Sequence, residues 1–329
     1  MFPLLLRIDA FELWGMDLGP WEVHWYGTLI TIGFLLGLWV AVREAKRVGV
    51  DPDRVMDLAF WFLLAGLIGS RVMFDIVNWR NYYDACFDPA AVGRDAPACY
   101  EILKIWEGGL VWYGGLLGAI VVGLWYMHRH RMPILKTCDA MAPSVALGHA
   151  FGRMGCFCAG CCFGRPTQTV TGVLFPSDSM AHRLQTERWP ELLSSLHHSL
   201  PIHPTQIYES LGEIAIFATL LLWRSRKRFH GQIFMAYLIL YAVLRSIVEF
   251  FRGDHARGYL VQWEVTHRFG EAVYRDVTGL STSQLISLLV AAMAVTVMAL
   301  LIRRRNQQML PDQVETAPPK GPDGRGDPV

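Results

Sequence analysis

The sequence predicts an all-α polytopic membrane protein of about seven transmembrane helices, with an outer (periplasmic) insertion between spans four and five. Three observations carry that prediction. Apolar residues make up 53% of the 329-residue chain and charged residues only 18%, a balance unusual for a soluble protein of this length. The apolar residues gather into runs long enough to cross hydrocarbon. Basic stretches follow every second run, as the positive-inside rule requires of a chain whose N-terminus lies outside. A net charge of +1 lacks the clustered cationic excess that phosphate backbones demand, so no nucleic-acid partner is expected.

Residues 1–22 have no basic leader and are interrupted by Asp9 and Glu12, so they read as an amphipathic interfacial segment and not as a cleavable signal. The first span, 23–42, is followed by Arg43, Lys46, Arg47 and Arg54. The second, 55–77, carries Arg71 and Asp75 on one face, which suits either an internal ion pair or a phosphate-binding arginine. A polar stretch, 78–108, holds Cys86 and Cys99, which a disulfide would be free to join on the outer face. The third span, 110–127, opens with glycines that permit close backbone approach, and His128 to Lys136 form the next basic loop.

The fourth span, 137–155, is only moderately apolar and ends with His149 and Arg153 four residues apart on one face. Residues 156–205 form the proline-punctuated insertion, with short elements at most. The fifth span, 206–223, begins in a His203-Pro204-Thr205-Gln206-Ile207-Tyr208-Glu209 motif and ends at a basic cluster. In the sixth, 231–251, Arg245, Glu249 and Arg252 fall on one helical stripe. The seventh, 283–302, stops at three arginines. One catalytic membrane domain, 1–305, and a disordered cytoplasmic tail, 306–329, complete the expected organisation.

Charges in a bilayer are costly, so several at one depth mark either a site or a packing lock. Arg153, Arg245, Arg252 and Arg165 share the outer half of the bilayer with His149, His203 and Glu249, and Tyr26, Arg71 and Tyr113 sit at a similar depth. An arginine fork matches phosphate oxygens, which points to a phospholipid headgroup.

Gly152-Arg153-Met154-Gly155 with Gly164-Arg165, the 203–209 motif and Arg245 through Arg252 resemble the bacterial prolipoprotein diacylglyceryl transferase family. Trp25-Tyr26-Gly27, Gly69-Ser70-Arg71 and the glycine pairs at 108–109 and 114–115 extend the resemblance over nearly the whole chain. It implies an enzyme of the cell inner membrane that takes phosphatidylglycerol as donor and the lipobox cysteine of a prolipoprotein signal peptide as acceptor, without a cofactor. The products are a thioether-linked lipoprotein precursor and glycerol-1-phosphate, the first step of lipoprotein biosynthesis. By position, the resemblance assigns phosphatidylglycerol binding to Arg153, a second essential role to Arg245, and motif positions to Glu249, Tyr26 and Gly164.

Relative to that family, Cys156 stands in place of Asn, Cys161 in place of Glu, and Tyr113 in place of a histidine. A phenol with a pKa of about 10 is a poor base at neutral pH. The expectation is therefore that the arginines carry the electrostatic work and that His149, His203 or Glu249 accepts the thiol proton. Four thiols within Cys156–Cys162 admit local disulfides, free packed thiols or a metal site, in that order of preference. Two other readings are a membrane thiol-disulfide or metal-binding protein built on these cysteines, and a non-catalytic phospholipid transporter. No doubled half-repeat of the transporter kind is visible in the sequence.

Overall fold

The computed structural model describes residues 4–9, 11–13, 16–18, 20–79, 108–193, 196–253, 258–269 and 272–314. Cys86, Cys99 and the tail beyond 314 lie outside the described residues. Helices occupy all the segments expected to be apolar helices: α1 (Trp25–Val48), α2 (Pro52–Val77), α3 (Trp112–Arg129) and α4 (Ile134–Ala159). After two short helices, α5 (Met180–Arg188) and α6 (Pro190–Leu193), come α7 (Thr205–Trp223), α8 (Gln232–Glu249) and α9 (Thr282–Val314). Four of them, α1, α2, α8 and the Thr282–Arg304 part of α9, are long and apolar enough to cross a membrane by length and composition. Apolar side chains such as Leu35, Trp39, Phe60, Val121 and Leu289 point outward, as lipid contact requires and water would penalise.

Local chemistry sets the ends. Asp51 accepts the Asp53 backbone N–H at 3.0 Å and Pro52 opens α2, satisfying a helix N-terminus by side chain and by ring. Helix α1 closes with Lys46 and Arg47 against its negative dipole end. Where α2 crosses α3 the backbones nearly touch: a Cβ on Gly69 would stand 2.5 Å from the Gly114 carbonyl oxygen, and one on Gly114 would meet Gly69 and Met73. Small residues four apart are what allow that approach.

Helix α4 is the axis of the fold, packing against α1, α7 and α8, while α2 pairs with α3 and α8 with α9. Three apolar clusters follow its length. Ala41, Ala45, Val55, Leu58 and Tyr126 form one, and Ala142, Ala146, Ile216, Leu220, Ile233 and Tyr237 the next. Phe163, Phe175, Ala181 and Ile202 form the core of the insertion. Two buried carboxylates pin the connection between α7 and α8 at the far end. Glu44 pairs with Arg224, and Asp139 takes Lys227 Nζ at 2.8 Å and the Gly231 and Phe234 amides at 2.7 and 2.8 Å.

The structure corrects the all-α expectation. In the stretch 1–22, expected to lie as an amphipathic segment, and the first two residues of the expected first span, β1 (Leu4–Ile8) pairs antiparallel with β4 (Trp21–His24), with β2 (Phe11–Leu13) and β3 (Met16–Leu18) paired between them. Alternation of apolar Trp21 and Val23 with polar Glu22 and His24 is the period-two pattern that favours a strand. A longer hairpin, β5 (Tyr259–Phe269) against β6 (Ala272–Ser281), precedes α9. Val261, Trp263 and Val265 alternate there with Gln262, Glu264 and Thr266, a strand signal in a segment to which no element was assigned from sequence. The last helix also continues through Val314, past the expected start of the tail at 306.

Candidate active site

The site is built where α4 leaves its apolar cluster. One turn beyond Ala146, His149 and then Arg153 project toward α7, whose first turns supply Glu209 and Glu213 at the same four-residue spacing. Both carboxylates are fully buried. Arg153 Nη2 lies 3.0 Å from Glu209 Oε1, and His149 Nδ1 lies 2.8 Å from Glu213 Oε1. Arg153 also donates its Nε–H to His149 Nε2 at 3.2 Å. With Nε2 accepting from the guanidinium, the other ring nitrogen, Nδ1, is left directed at Glu213. The two residue pairs thus form a rigid ladder, and Arg153 keeps its Nη1 uncommitted among the described residues on a side chain that is still 15% exposed.

Helix α8 brings the second arginine. Arg245 pairs with Glu249 one turn on, and both side chains are nearly buried. Tyr241 joins the two halves: its ring centroid is 5.3 Å from that of His149, and it lies within electrostatic reach of both Arg153 and Arg245.

Gly164 explains how the insertion is fastened over this polar band. Its N–H donates to the His203 carbonyl at 3.0 Å, and the Arg165 N–H donates to the Phe251 carbonyl at 2.8 Å. His203 returns a bond to the Arg165 carbonyl at 3.0 Å, and Gly164 bridges Arg252. The strand of residues 163–166 is therefore clasped between 202–203 and 251–253. A Cβ on Gly164 would strike the His203 carbonyl and stand 2.7 Å from the Phe251 oxygen, so no larger residue fits the seam. Arg165, held by this seam, donates from Nε to the Arg252 carbonyl and from Nη2 to Thr278 Oγ1, each at 2.9 Å. Arg165, Glu249, Arg252, Thr278, Ser281 and Gln284 line a small cavity between the seam and the β5–β6 hairpin.

His203 sits beside this seam. Its Nδ1 is 3.3 Å from the Tyr208 hydroxyl, which is itself 3.0 Å from Thr171 Oγ1, and its ring packs on Phe251. Burial pulls its pKa below the ordinary histidine value, favouring the neutral, proton-accepting ring. Tyr26, at the start of α1, packs its ring and backbone against Gly155 and lies within electrostatic reach of Arg153 and the cysteine loop.

Of the residues selected from sequence, His149 and Arg153 meet directly, and Arg245, Glu249, Arg252, Gly164 and His203 gather around the same end of α4. Two do not join them. Arg71 is locked at the α2–α3 junction, 3.3 Å from Asp75, donating to the Gly108 carbonyl at 2.9 Å and lying over Phe74. Its partners fit the ion-pair alternative. Tyr113 is exposed on the first turn of α3 with its ring against Trp112. Arg252 also lies beyond the end of α8, in the seam, and not on a continuous helical stripe with Arg245. Glu209 and Glu213 were not selected from sequence, although two carboxylates four apart at the head of an apolar helix are a signal of buried cation partners. The five described cysteines are unbridged thiols.

Comparisons with known proteins place the chain among relatives of one kind. A family model described as prolipoprotein diacylglyceryl transferase matches residues 14–300. A phosphatidylglycerol–prolipoprotein diacylglyceryl transferase of Clostridium tetani is 34% identical over 279 residues, which is 84% of this chain and 91% of the relative. Its counterpart in Sodalis glossinidius is 32% identical over 312 residues, covering 93% of this chain and 98% of that protein. A third, from Thermosynechococcus vestitus, is 31% identical over 252 residues, covering 75% and 84%.

Proposed function

The chain belongs to the prolipoprotein diacylglyceryl transferase family, and we propose on that footing that it moves the diacylglyceryl group of phosphatidylglycerol to the lipobox cysteine of prolipoproteins. The carbon–oxygen bond between the diacylglyceryl group and phosphate breaks, a carbon–sulfur bond forms, and glycerol-1-phosphate leaves. The thiol proton passes to a base. The observation that carries this reading is Arg153, held by Glu209 and His149 with one amino group uncommitted among the described residues on a side chain that is 15% exposed.

Three demands of the reaction find partners here. A phosphate diester needs a cation at headgroup depth, and Arg153 supplies it with an orientation fixed by two bonds. Charge gathers on the leaving phosphate in the transition state, and Arg245 and Arg252 add positive potential at the same end of α4. The thiol must lose its proton near neutral pH. His149 has both ring nitrogens engaged. His203, neutral by burial, keeps Nε2 for that proton, and the exposed Tyr113 is not needed for it.

The proposed topology has seven spans, with α3, α4 and α7 crossing beside the four most apolar helices. The 160–204 insertion faces outward, and the basic stretches after α1, α3, α7 and the apolar part of α9 face the cytoplasm. The polar character of α4 and α7 follows from the buried charges that line the site. In this topology Cys161, Gly164 and His203 lie where a secreted precursor presents its lipobox in the inner membrane. Purified protein incubated with phosphatidylglycerol and a lipobox peptide is expected to add one diacylglyceryl mass to the peptide and release glycerol-1-phosphate. Folded protein that binds phosphatidylglycerol but yields no adduct would turn the assignment toward lipid binding without chemistry.

A further inference from the structure

Helix α4 ends in a knot of sulfur. Its last turn carries Cys156, Gly160 turns the chain with φ of 68°, and Cys162 is held at φ of 59°, a left-handed conformation that non-glycine residues seldom adopt. The result is that the Sγ atoms of Cys156, Cys161 and Cys162 all lie within 4.8 Å of one another, each partly buried. Cys158, two residues along the helix from Cys156, faces elsewhere and is not in the group.

Other side chains fix this loop. Thr205 Oγ1 donates to the Cys162 carbonyl at 2.9 Å, and Gln206 Nε2 to the Cys161 carbonyl at 2.7 Å. The Cys161 N–H donates to the Cys156 carbonyl at 3.1 Å. The backbone is therefore held mainly by bonds that do not use the sulfurs; of the three thiols, Cys161 S–H donates to the Cys156 carbonyl at 3.7 Å, a weak bond that deprotonation on metal binding would release. Sulfurs around a tetrahedral zinc ion stand about 3.8 Å apart, given Zn–S bonds of about 2.3 Å. Rotamer adjustment of the three side chains closes that difference without moving the loop.

We propose that Cys156, Cys161 and Cys162 form a three-thiolate site for a thiophilic d10 metal ion of the Zn2+ class. Binding replaces three S–H bonds by three metal–sulfur bonds and releases three protons to solvent. The charge of the occupied site is −1, from three thiolates and one divalent ion. Arg153 and Arg252 both lie within electrostatic reach of Cys162 and stabilise that charge. The fourth corner of the tetrahedron is left to water or an external thiolate, as in open zinc sites. Soft sulfur donors select Zn2+ over Mg2+ and Ca2+. Nothing in this site depends on the transferase reading.

The test uses the full-length protein in detergent, reduced and then freed of reductant, titrated with Zn2+ and, as a spectroscopic probe, with Cd2+. The expected result is one equivalent bound, a cadmium–sulfur charge-transfer band, and tighter binding as pH rises because protons are released. Cys156→Ser, Cys161→Ser and Cys162→Ser should each abolish binding at equimolar metal, whereas Cys158→Ser and Cys138→Ser should retain it. Equal thermal unfolding of the metal-free variants and parent shows that the fold is intact. Three free thiols that take up no stoichiometric metal would overturn the proposal. So would binding that survives all three substitutions, or an intact-mass measurement on protein alkylated in its native membrane that finds two of the three joined as a disulfide.

Discussion

Arg153 on α4 and Glu209 on α7 meet at 3.0 Å, and the carboxylate has no exposure at all. A fully buried carboxylate needs a cation or hydrogen-bond donors beside it, and here the cation is Arg153, so the pair is both a packing lock between two helices and the device that aims the arginine. Glu209→Gln keeps the shape and removes the charge. We expect folding stability to fall by about 3 kcal/mol, the low end for breaking a buried pair, because Arg153 still reaches solvent. Transfer should fall about 100-fold as the guanidinium loses its fixed position, read as kcat in a single-turnover assay. Glu213→Gln, which touches His149 and not Arg153, should cost less activity.

Gly164 is the narrowest point of the seam. Gly164→Ala should destabilise the protein by about 1–3 kcal/mol through overpacking against the His203 and Phe251 carbonyls. Because Arg165 and Arg252 are positioned by the same backbone, activity should fall further than stability alone explains. Thermal unfolding and transfer measured on one preparation separate the two effects.

The pH profile follows from His203. Burial lowers its pKa in the fold, so the neutral ring that accepts the proton persists below the ordinary value of 6.5. The acid limb of kcat is therefore predicted below that value. The same shift makes His203 contribute stability that is present above its unfolded pKa and is lost as pH falls through the folded one. His203→Gln should reduce kcat about 100-fold and remove that limb. An unchanged acid limb in the variant would move the proton to another group.

Tyr113 provides the contrasting case. It lies exposed on α3 with its ring against Trp112, so Tyr113→Phe should leave transfer within about twofold of the parent and stability within about 0.5 kcal/mol. A severe loss would place the phenol in the chemistry after all.

Periodicity made the helices legible. The apolar runs predicted α2 and α8 within three residues, α1 and α9 run six and twelve residues past their expected ends, and the less apolar α4 was expected over 137–155 inside its observed Ile134–Ala159. What periodicity alone did not reach was contact between segments far apart in sequence. His149 and Arg153 could be placed on one face, but their partners 56 residues or more along the chain could not be read from spacing. Gly164 was selected by motif, and its physical role became visible only where three backbones meet around it. The β5–β6 hairpin was legible in the alternation from Val261 to Thr266, and the segment between the sixth and seventh spans was given no elements. Arg71 shows the limit of spacing, which left an ion pair with Asp75 and a phosphate-binding role both open; the fold places it 3.3 Å from Asp75 and against the Gly108 carbonyl.

The central claim is that Arg153, oriented by Glu209, anchors the phosphate of the lipid donor during transfer. The direct test is the mass of a lipobox peptide after incubation with Arg153→Ala protein in phosphatidylglycerol bilayers, with folding verified by thermal unfolding. No peptide carrying a diacylglyceryl group is expected from the variant, while the parent converts the peptide fully. Full conversion by the folded variant, at the parent's rate and lipid dependence, would contradict it.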